Sequence, residues 1–121
     1  MAPIVRVEGW QLGIKLRRPV VFASTRYDER DYTVVQITDA DGATGSAYAM
    51  ARSAPLVETV NTLAPLMLGR DPWQTRGTWD MLYSASIPYG QRGLALRAIS
   101  LLDVASWDLK GKLAGRPVHE L

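Results

Sequence analysis

The spacing of apolar residues changes near Ser53, and this change limits the possible folds more than any other feature of the chain. Before it, apolar residues recur at every second position, which is the period of a β-strand. After it, they recur every three or four positions, as on one face of an α-helix. Strands therefore come first and helices after, an order that indicates the α+β class. At 121 residues the chain is one domain at most, large enough to bury a core without cross-links.

A three-stranded antiparallel meander is predicted before this change. The alternation slips within the first strand: Val5 and Val7 share one parity, while Trp10 and the apolar residues after it share the other. We therefore predict a β-bulge at Gly9, between the two sets. An Asp-Gly pair at 41–42 supplies the turn before the third strand. The expected strands cover residues 4–16, 32–38 and 43–50.

A bundle of about three helices is predicted after the change, at about 55–67, 72–83 and 91–113. Asp71 is expected to cap the second helix, with Pro72 in its first turn. Gly115 follows the third helix, where a glycine commonly ends one. Three tryptophans fall within the predicted helices and are expected in the core: Trp73, Trp79 and Trp107.

Charge and composition exclude several classes of partner. The net charge of +2 is too small and too scattered for a nucleic-acid surface. The absence of cysteine excludes disulfides, thiolate metal sites and thiol nucleophiles, and it is compatible with the cytoplasm. No stretch is long enough to span a bilayer, and the first residues do not resemble a signal peptide. We therefore expect a cytoplasmic protein with no nucleic-acid or membrane partner.

Few residues suit catalysis or metal binding. His119 is the single histidine and has no nearby nucleophile in the sequence. Asp103 and Asp108 are five apart on a helix, so they point about 140° apart and cannot share one metal ion. Asp108 is better explained by an ion pair with Lys112, four residues later. We therefore predict no catalytic residue and no metal ligand in this chain.

The segment Pro19–Asp31 is the most interesting part of the chain for binding. Its proline, small polar residues and mixed charges predict a long loop. The composition favours a solvated loop, whereas the position between two paired strands favours a functional one. In the functional reading, Arg26 and Arg30 each present a guanidinium group to a carboxylate.

The third helix and its exit, RAISLLDVASWDLKGKLAGRPVHEL, resemble a segment of the enolase superfamily, in its mandelate racemase and muconate lactonizing enzyme branch. The matching residues are Ala98, Asp103, Ala105, Trp107, Asp108, Gly111, Lys112, Gly115 and Pro117. The meander, the turn and the helical bundle match the capping domain of that family in order and length. The resemblance implies an enolase N-terminal domain-like fold over 1–115. It also implies that 116–121 begin a linker to a β/α barrel that lies outside this chain.

This resemblance implies a Mg²⁺-dependent racemase, dehydratase or cycloisomerase that removes a proton α to the carboxylate of a small acid. In that family the barrel carries the Mg²⁺ ligands and the acid–base groups, so none is carried over to this chain. A homo-oligomer is also implied. The loops corresponding to Pro19–Asp31 and Ala49–Ala54 close over the barrel mouth. The implied substrate-capping residues are Phe22, Ser24, Arg26, Tyr27, Met50 and Arg52.

A second hypothesis is a standalone binding or assembly module that has kept the meander and bundle and lost the barrel. The retained exit motif up to Leu121 favours the enzyme. A capping domain without its barrel would expose the apolar surface that packs on it, and such patches promote association. We therefore expect the isolated chain to self-associate.

Overall fold

The computed structural model describes residues 1–121 as one antiparallel sheet with helices on one face. The strands are β1 (Ile4–Phe22), β2 (Thr25–Asp39) and β3 (Thr44–Met50), in the order β1-β2-β3. The helices are α1 (Leu56–Leu63), α2 (Thr75–Ala85) and α3 (Leu94–Ala114). Short 3₁₀ turns cover Ala64–Met67, Ile87–Tyr89 and Val118–Glu120. The α+β class and the order of meander and helices are confirmed. None of the helices combines the length and apolar character needed to cross a membrane.

The core lies between the sheet and the helices. Successive side chains of a strand point to opposite faces, so every second residue of β2 faces the helices. Thr33, Val35 and Ile37 are accordingly fully buried there. Val35 and Ile37 pack with side chains from the other strands and from all three helices: Ile4, Ala47, Leu56, Val60, Leu63, Met67, Leu82, Ala98, Ile99, Leu101, Leu102, Ala105 and Leu109.

The backbone of α3 lies directly against β3. A Cβ atom at Gly45 would collide with the carbonyl oxygen of Ala105 and with the backbone nitrogen of Leu109. Only a residue without a side chain therefore allows this approach. The contact between α3 and β3 is the most extensive contact between a helix and a strand in the domain.

Side chains of α3 also satisfy outward-facing backbone groups of β3, which is an edge strand. The Asp108 carboxylate accepts a hydrogen bond from the Ser46 backbone N–H at 2.8 Å. The Lys112 ammonium donates to the Thr44 carbonyl at 3.0 Å and to Asp108 at 2.7 Å. The predicted Asp108–Lys112 ion pair is confirmed. Backbone N–H and C=O groups of β3 that already have hydrogen-bond partners are not free to pair with a strand of another molecule.

These contacts change the titration of Asp108. Its partial burial raises the pKa. The hydrogen bonds from Lys112 and from the Ser46 N–H, together with the charge of Lys112, lower the pKa by more than burial raises it. The net result is a pKa below the usual value of 3.8. The charged form of Asp108 is therefore the form that the folded state favours.

The first two strands are longer than predicted, because 17–31 is a hairpin rather than a loop. Val20 pairs with Tyr27, and Phe22 pairs with Thr25 across a two-residue turn. An irregularity between Lys15 and Val20 contains Pro19, which has no N–H for the ladder. The hairpin extends past the helices, so neither face is buried and no apolar alternation marks it.

The predicted bulge at Gly9 is wrong. The register shift lies between Ile4 and Arg6, and Gly9 pairs regularly with Val35. Glycine is needed there for another reason, since a Cβ would lie 2.9 Å from the Val60 side chain of α1. The two apolar sets in the sequence are the two faces of one strand.

The second helix begins three residues later than predicted, and the first is shorter. Asp71 does not cap α2, since its carboxylate accepts the Trp73 N–H at 2.9 Å in a separate turn. Trp73 is 44% exposed and not in the core, contrary to prediction. Pro65 converts the end of the first helix to a 3₁₀ turn. The third helix ends at Gly115, which adopts a left-handed φ of 63° as predicted for its stop.

We expect Gly45→Ala to lower the free energy of unfolding by about 1–3 kcal/mol, because the methyl group forces α3 away from β3. Urea unfolding monitored by circular dichroism measures this change. Gly77→Ala is the matched control, since a Cβ at Gly77 would only touch the Arg70 side chain at 3.7 Å, an ordinary contact distance, and alanine favours a helix by up to about 1 kcal/mol. Equal stability of the Gly45→Ala variant and the natural chain would contradict the packing argument.

We expect the chain to lose part of its stability as the pH falls below about 4, through the lowered pKa of Asp108. The sign follows because a group whose pKa is lower when folded stabilises the fold only while it is ionised. Asp108→Asn should therefore show a smaller fall between pH 5 and about pH 2 in urea unfolding. Parallel pH profiles for the variant and the natural chain would refute this assignment.

Candidate functional site

A hairpin and a turn form the candidate site at one end of the sheet. The hairpin consists of the distal parts of β1 and β2, closed at Ala23 and Ser24. All of residues 17–30 are exposed, so the hairpin projects beyond the helix layer. Its geometry is set by backbone pairing alone, which leaves its side chains free for other contacts.

The turn Met50–Ala54, which follows β3, has an unusual backbone. Arg52 and Ser53 have φ values of 53° and 60°, the left-handed region that favours glycine. The conformation costs roughly 1–2 kcal/mol for each non-glycine residue. Other contacts must offset this cost for the turn to persist.

One hydrogen bond, from the Ala54 N–H to the Ala51 carbonyl at 3.1 Å, lies within this turn, and three others join it to neighbouring elements. The Ala51 N–H donates to the Asp31 carbonyl at 2.9 Å, as a continuation of the β2–β3 ladder. The Ser53 N–H donates to the Asp31 carboxylate at 2.8 Å. Arg97 of α3 donates to the Met50 carbonyl at 2.5 Å. The turn is therefore tied both to the base of the hairpin and to the first part of α3.

The hairpin and the turn enclose an open cavity of about 300 Å³. It is lined by Val20, Phe22, Tyr27, Glu29, Arg30, Asp31, Met50 and Arg52. Four of the six residues predicted to contact a substrate are among them: Phe22, Tyr27, Met50 and Arg52. The two predicted segments thus meet at one place, although their role in binding stays a prediction.

The two other predicted residues do not line the cavity. Ser24 lies in the turn at the tip of the hairpin. Arg26 pairs with Val21 in the ladder, one residue out of step with Tyr27, and forms an ion pair with Asp28 at 3.0 Å. Alternation along the strand therefore directs Arg26 to the opposite face of the hairpin.

Sequence reasoning missed Val20, Glu29 and Asp31 as lining residues. Glu29 and Asp31 lie two and four residues after Tyr27, so in a strand their side chains point to the same face as that of Tyr27. This spacing places them together only once the segment is known to be a strand. Val20 faces Tyr27 across the ladder. Treating the segment as a loop removed the one pattern that places these side chains together.

The cavity combines cations with apolar surface. Arg52 takes part in no ion pair, so its guanidinium group is available to an anion. Arg30 also lines the cavity, but it pairs with Ile14 in the ladder, so alternation directs its side chain to the same face as that of Arg26. The Asp31 carboxylate is occupied by the turn. Phe22 and Tyr27 are 75% and 44% exposed and offer apolar surface beside the cations. The arrangement suits a small molecule that carries a carboxylate or hydroxyl groups.

The site provides no obvious chemistry of its own. No group of three or more His, Asp or Glu side chains is placed to hold a metal ion. Asp103 is half-buried on α3, where burial raises its pKa, and it lies outside the cavity lining. His119 is exposed and approaches only Glu120, at 3.9 Å. The side chains around the cavity can bind and enclose a ligand but do not form an acid–base pair.

Proteins with similar sequences include a cycloisomerase and a member of a dehydratase family. Residues 5–121 match the family model of the mandelate racemase / muconate lactonizing enzyme N-terminal domain. A D-galactarolactone cycloisomerase of Agrobacterium fabrum is 37% identical over 88% of this chain. A D-galactonate dehydratase family member of Pseudarthrobacter chlorophenolicus is 40% identical over 76% of it. The matched region spans only 28% and 23% of those two proteins.

Solved structures share the fold over nearly the whole chain. An enolase from Bradyrhizobium, complexed with magnesium and mandelic acid, has a TM-score of 0.87 and 28% identity. The comparison covers 98% of this chain and 34% of that one. L-Talarate dehydratase from Polaromonas, complexed with Mg and L-glucarate, has a TM-score of 0.86 and 28% identity over 95% of this chain and 33% of that one. The chain therefore belongs to the mandelate racemase/muconate lactonizing enzyme family and corresponds to its N-terminal domain.

Proposed function

We propose that this chain is the substrate-capping domain of a cytoplasmic enzyme that removes a proton α to the carboxylate of a small hydroxy acid. The overall reaction is of the racemase, dehydratase or cycloisomerase type. One observation carries the proposal: the hairpin and the turn Met50–Ala54, which are far apart in sequence, converge on one cavity that is lined by Arg52, an arginine without an ion pair. A capping domain needs such a surface to enclose the part of the substrate away from the reacting carbon.

The proposed role of the cavity is to hold the distal part of the acid. Arg52 contacts its distal carboxylate or hydroxyl groups, since a guanidinium binds such oxygens with defined geometry. Phe22 and Tyr27 cover the substrate and exclude water. Binding energy away from the reacting carbon then orients that carbon for proton removal. The relatives named for D-galactarolactone and D-galactonate support a polyhydroxylated acid.

The catalytic groups belong to the rest of the proposed enzyme. Magnesium is part of the proposal because two structural neighbours are complexed with it. This chain offers no cluster of ligands for the ion, so none of its residues is assigned to Mg²⁺. The contribution of these residues is to bind, orient and shield the substrate.

The direction of α3 indicates where the barrel would pack. Arg97 contacts the end of β3 and Lys112 its beginning, so α3 runs antiparallel to β3 and leaves the sheet at the end opposite the cavity. With 21 residues, α3 is about 30 Å long. Between these ends its exposed side carries Leu96, Ser100 and Val104, which have no charge. We propose that the barrel packs along this side and so reaches the cavity.

In the complete enzyme we expect Arg52→Ala to lower kcat/KM by about 10-fold to 100-fold, which is the loss of a hydrogen bond to a charged group. Steady-state kinetics with small hydroxy acids measures it. Arg26→Ala is the matched control, with a change below about three-fold, because Arg26 lies on the other face and is paired with Asp28. An unchanged kcat/KM for the Arg52→Ala variant with every accepted substrate would overturn the proposed role of the cavity.

The assembly module is the second candidate function, and the outer face of the sheet favours it. Trp10, Leu12, Ile14 and Tyr48 lie on the face away from the helices and are 39% to 73% exposed. A contiguous apolar face of this kind commonly promotes association. The proposed enzyme is accordingly a homo-oligomer, while an assembly module would use the same face without any barrel.

We expect the 121-residue chain to self-associate through this face. Ile14→Lys should shift it toward monomer in sedimentation velocity, because a charge cannot be buried there without a partner. Leu66→Lys is the matched control, since Leu66 is also exposed but lies in the 3₁₀ turn Ala64–Met67. A monomer at high concentration for the natural chain would argue against association and against the homo-oligomer.

A further inference from the structure

We infer that Asp31 is a positioning residue that locks the turn Met50–Ala54 in the conformation that places Arg52 at the cavity. The effect of Asp31 on substrate binding in the enzyme rests on the proposed function. The tether, by which we mean the hydrogen bond from the Ser53 N–H to the Asp31 carboxylate, rests only on contacts within this chain. Asp31 would thereby control how tightly a substrate is held without touching the reacting atoms.

Asp31 joins three segments of the domain at one point. Its backbone carbonyl accepts the Ala51 N–H at 2.9 Å. One oxygen of its carboxylate, Oδ2, accepts the Ser53 N–H at 2.8 Å and a side-chain N–H of Gln11 at 3.3 Å. Gln11 belongs to β1, Asp31 to β2, and the turn follows β3. The base of the hairpin and the turn are therefore held together by a single residue, through its backbone carbonyl and its carboxylate.

The turn needs such a tether because its backbone is strained. Two adjacent non-glycine residues, Arg52 and Ser53, are left-handed, and residues 50–54 contain no glycine. Strained backbone of this kind persists where surrounding contacts over-determine it, and it is common at ligand sites. The bond from Arg97 fixes the turn before Arg52, at Met50. The Ala54 N–H donates to the Ala51 carbonyl at 3.1 Å and closes the turn across Arg52 and Ser53. The bond to the Asp31 carboxylate reinforces this closure, because it ties Ser53 to the base of the hairpin.

Removal of the carboxylate should weaken this closure. In Asp31→Ala the Ser53 N–H loses its acceptor, and only the bond between Ala51 and Ala54 still holds the two left-handed residues against relaxation to ordinary conformations. Arg52 then leaves its position at the cavity, although its own side chain is unchanged. Asp31→Asn retains an oxygen that accepts from Ser53, without the strength that a charged acceptor adds. The asparagine variant should therefore keep part of the closure.

Amide hydrogen exchange of the 121-residue chain, followed by NMR, tests the tether without any substrate. We expect exchange at Ser53 to become at least about ten-fold faster in Asp31→Ala and about three-fold faster in Asp31→Asn, with amides of the β2–β3 ladder unchanged. Asp28→Ala is the matched control, since it removes an acidic residue from the same strand without contacting the turn. Unchanged exchange at Ser53 overturns the inference. If the alanine variant does not fold, the asparagine variant decides in the same way.

Steady-state kinetics of the complete enzyme tests the consequence. We expect Asp31→Ala to raise KM about ten-fold with kcat within about three-fold, since substrate positioning is lost and no reacting group is removed. Partial recovery of KM in Asp31→Asn supports positioning, whereas an unchanged KM in Asp31→Ala overturns it. If exchange at Ser53 accelerates but Arg52→Ala leaves kcat/KM unchanged, the tether stands and the proposed function fails. If exchange is unchanged and the Arg52→Ala variant is impaired, the function stands and the tether fails.

Discussion

The close contact of α3 with Gly45 is the constraint on which the rest of the domain depends. Because no side chain separates the helix from β3, the backbones of both elements lie at the shortest distance that packing allows. At this distance Asp108, Lys112 and Arg97 reach the outward-facing backbone groups of β3. The contact therefore closes the sheet edge and also fixes Met50, where the candidate site begins.

Several of the residues that carry the family resemblance form this contact or end α3. Asp108 and Lys112 hold β3, and Gly111 leaves room for the chain to fold back, since a Cβ there would lie 2.9 Å from the Arg116 carbonyl. The Arg116 N–H donates a hydrogen bond to the Gly111 carbonyl at 3.0 Å, and this bond closes the end of α3. A motif can thus be highly specific for a family because it builds the shared scaffold, while substrate contacts differ among members.

The sequence predicts those parts of the structure in which burial on one face gives the apolar residues a regular spacing. The helix-facing positions of β2 and the apolar face of α3 are of this kind, and the class and element order follow from them. The hairpin was not predicted because both of its faces lie outside the core. Its sequence therefore shows no alternation of apolar and polar residues that would indicate a strand. Phe22, Tyr27, Met50 and Arg52 were predicted from a family resemblance and not from any pattern. The contact of Asp31 with Ser53 could not be predicted, because it joins two segments whose pairing only the register reveals.

The hairpin has a consequence for how such a domain diversifies. All of residues 17–30 are exposed, so substitutions there remove no core packing and change the stability little. The surface that we propose to contact a ligand is thereby separated from the residues that keep the domain folded. Related chains can accumulate changes in their ligand preference by neutral drift, one substitution at a time, without passing through unfolded intermediates.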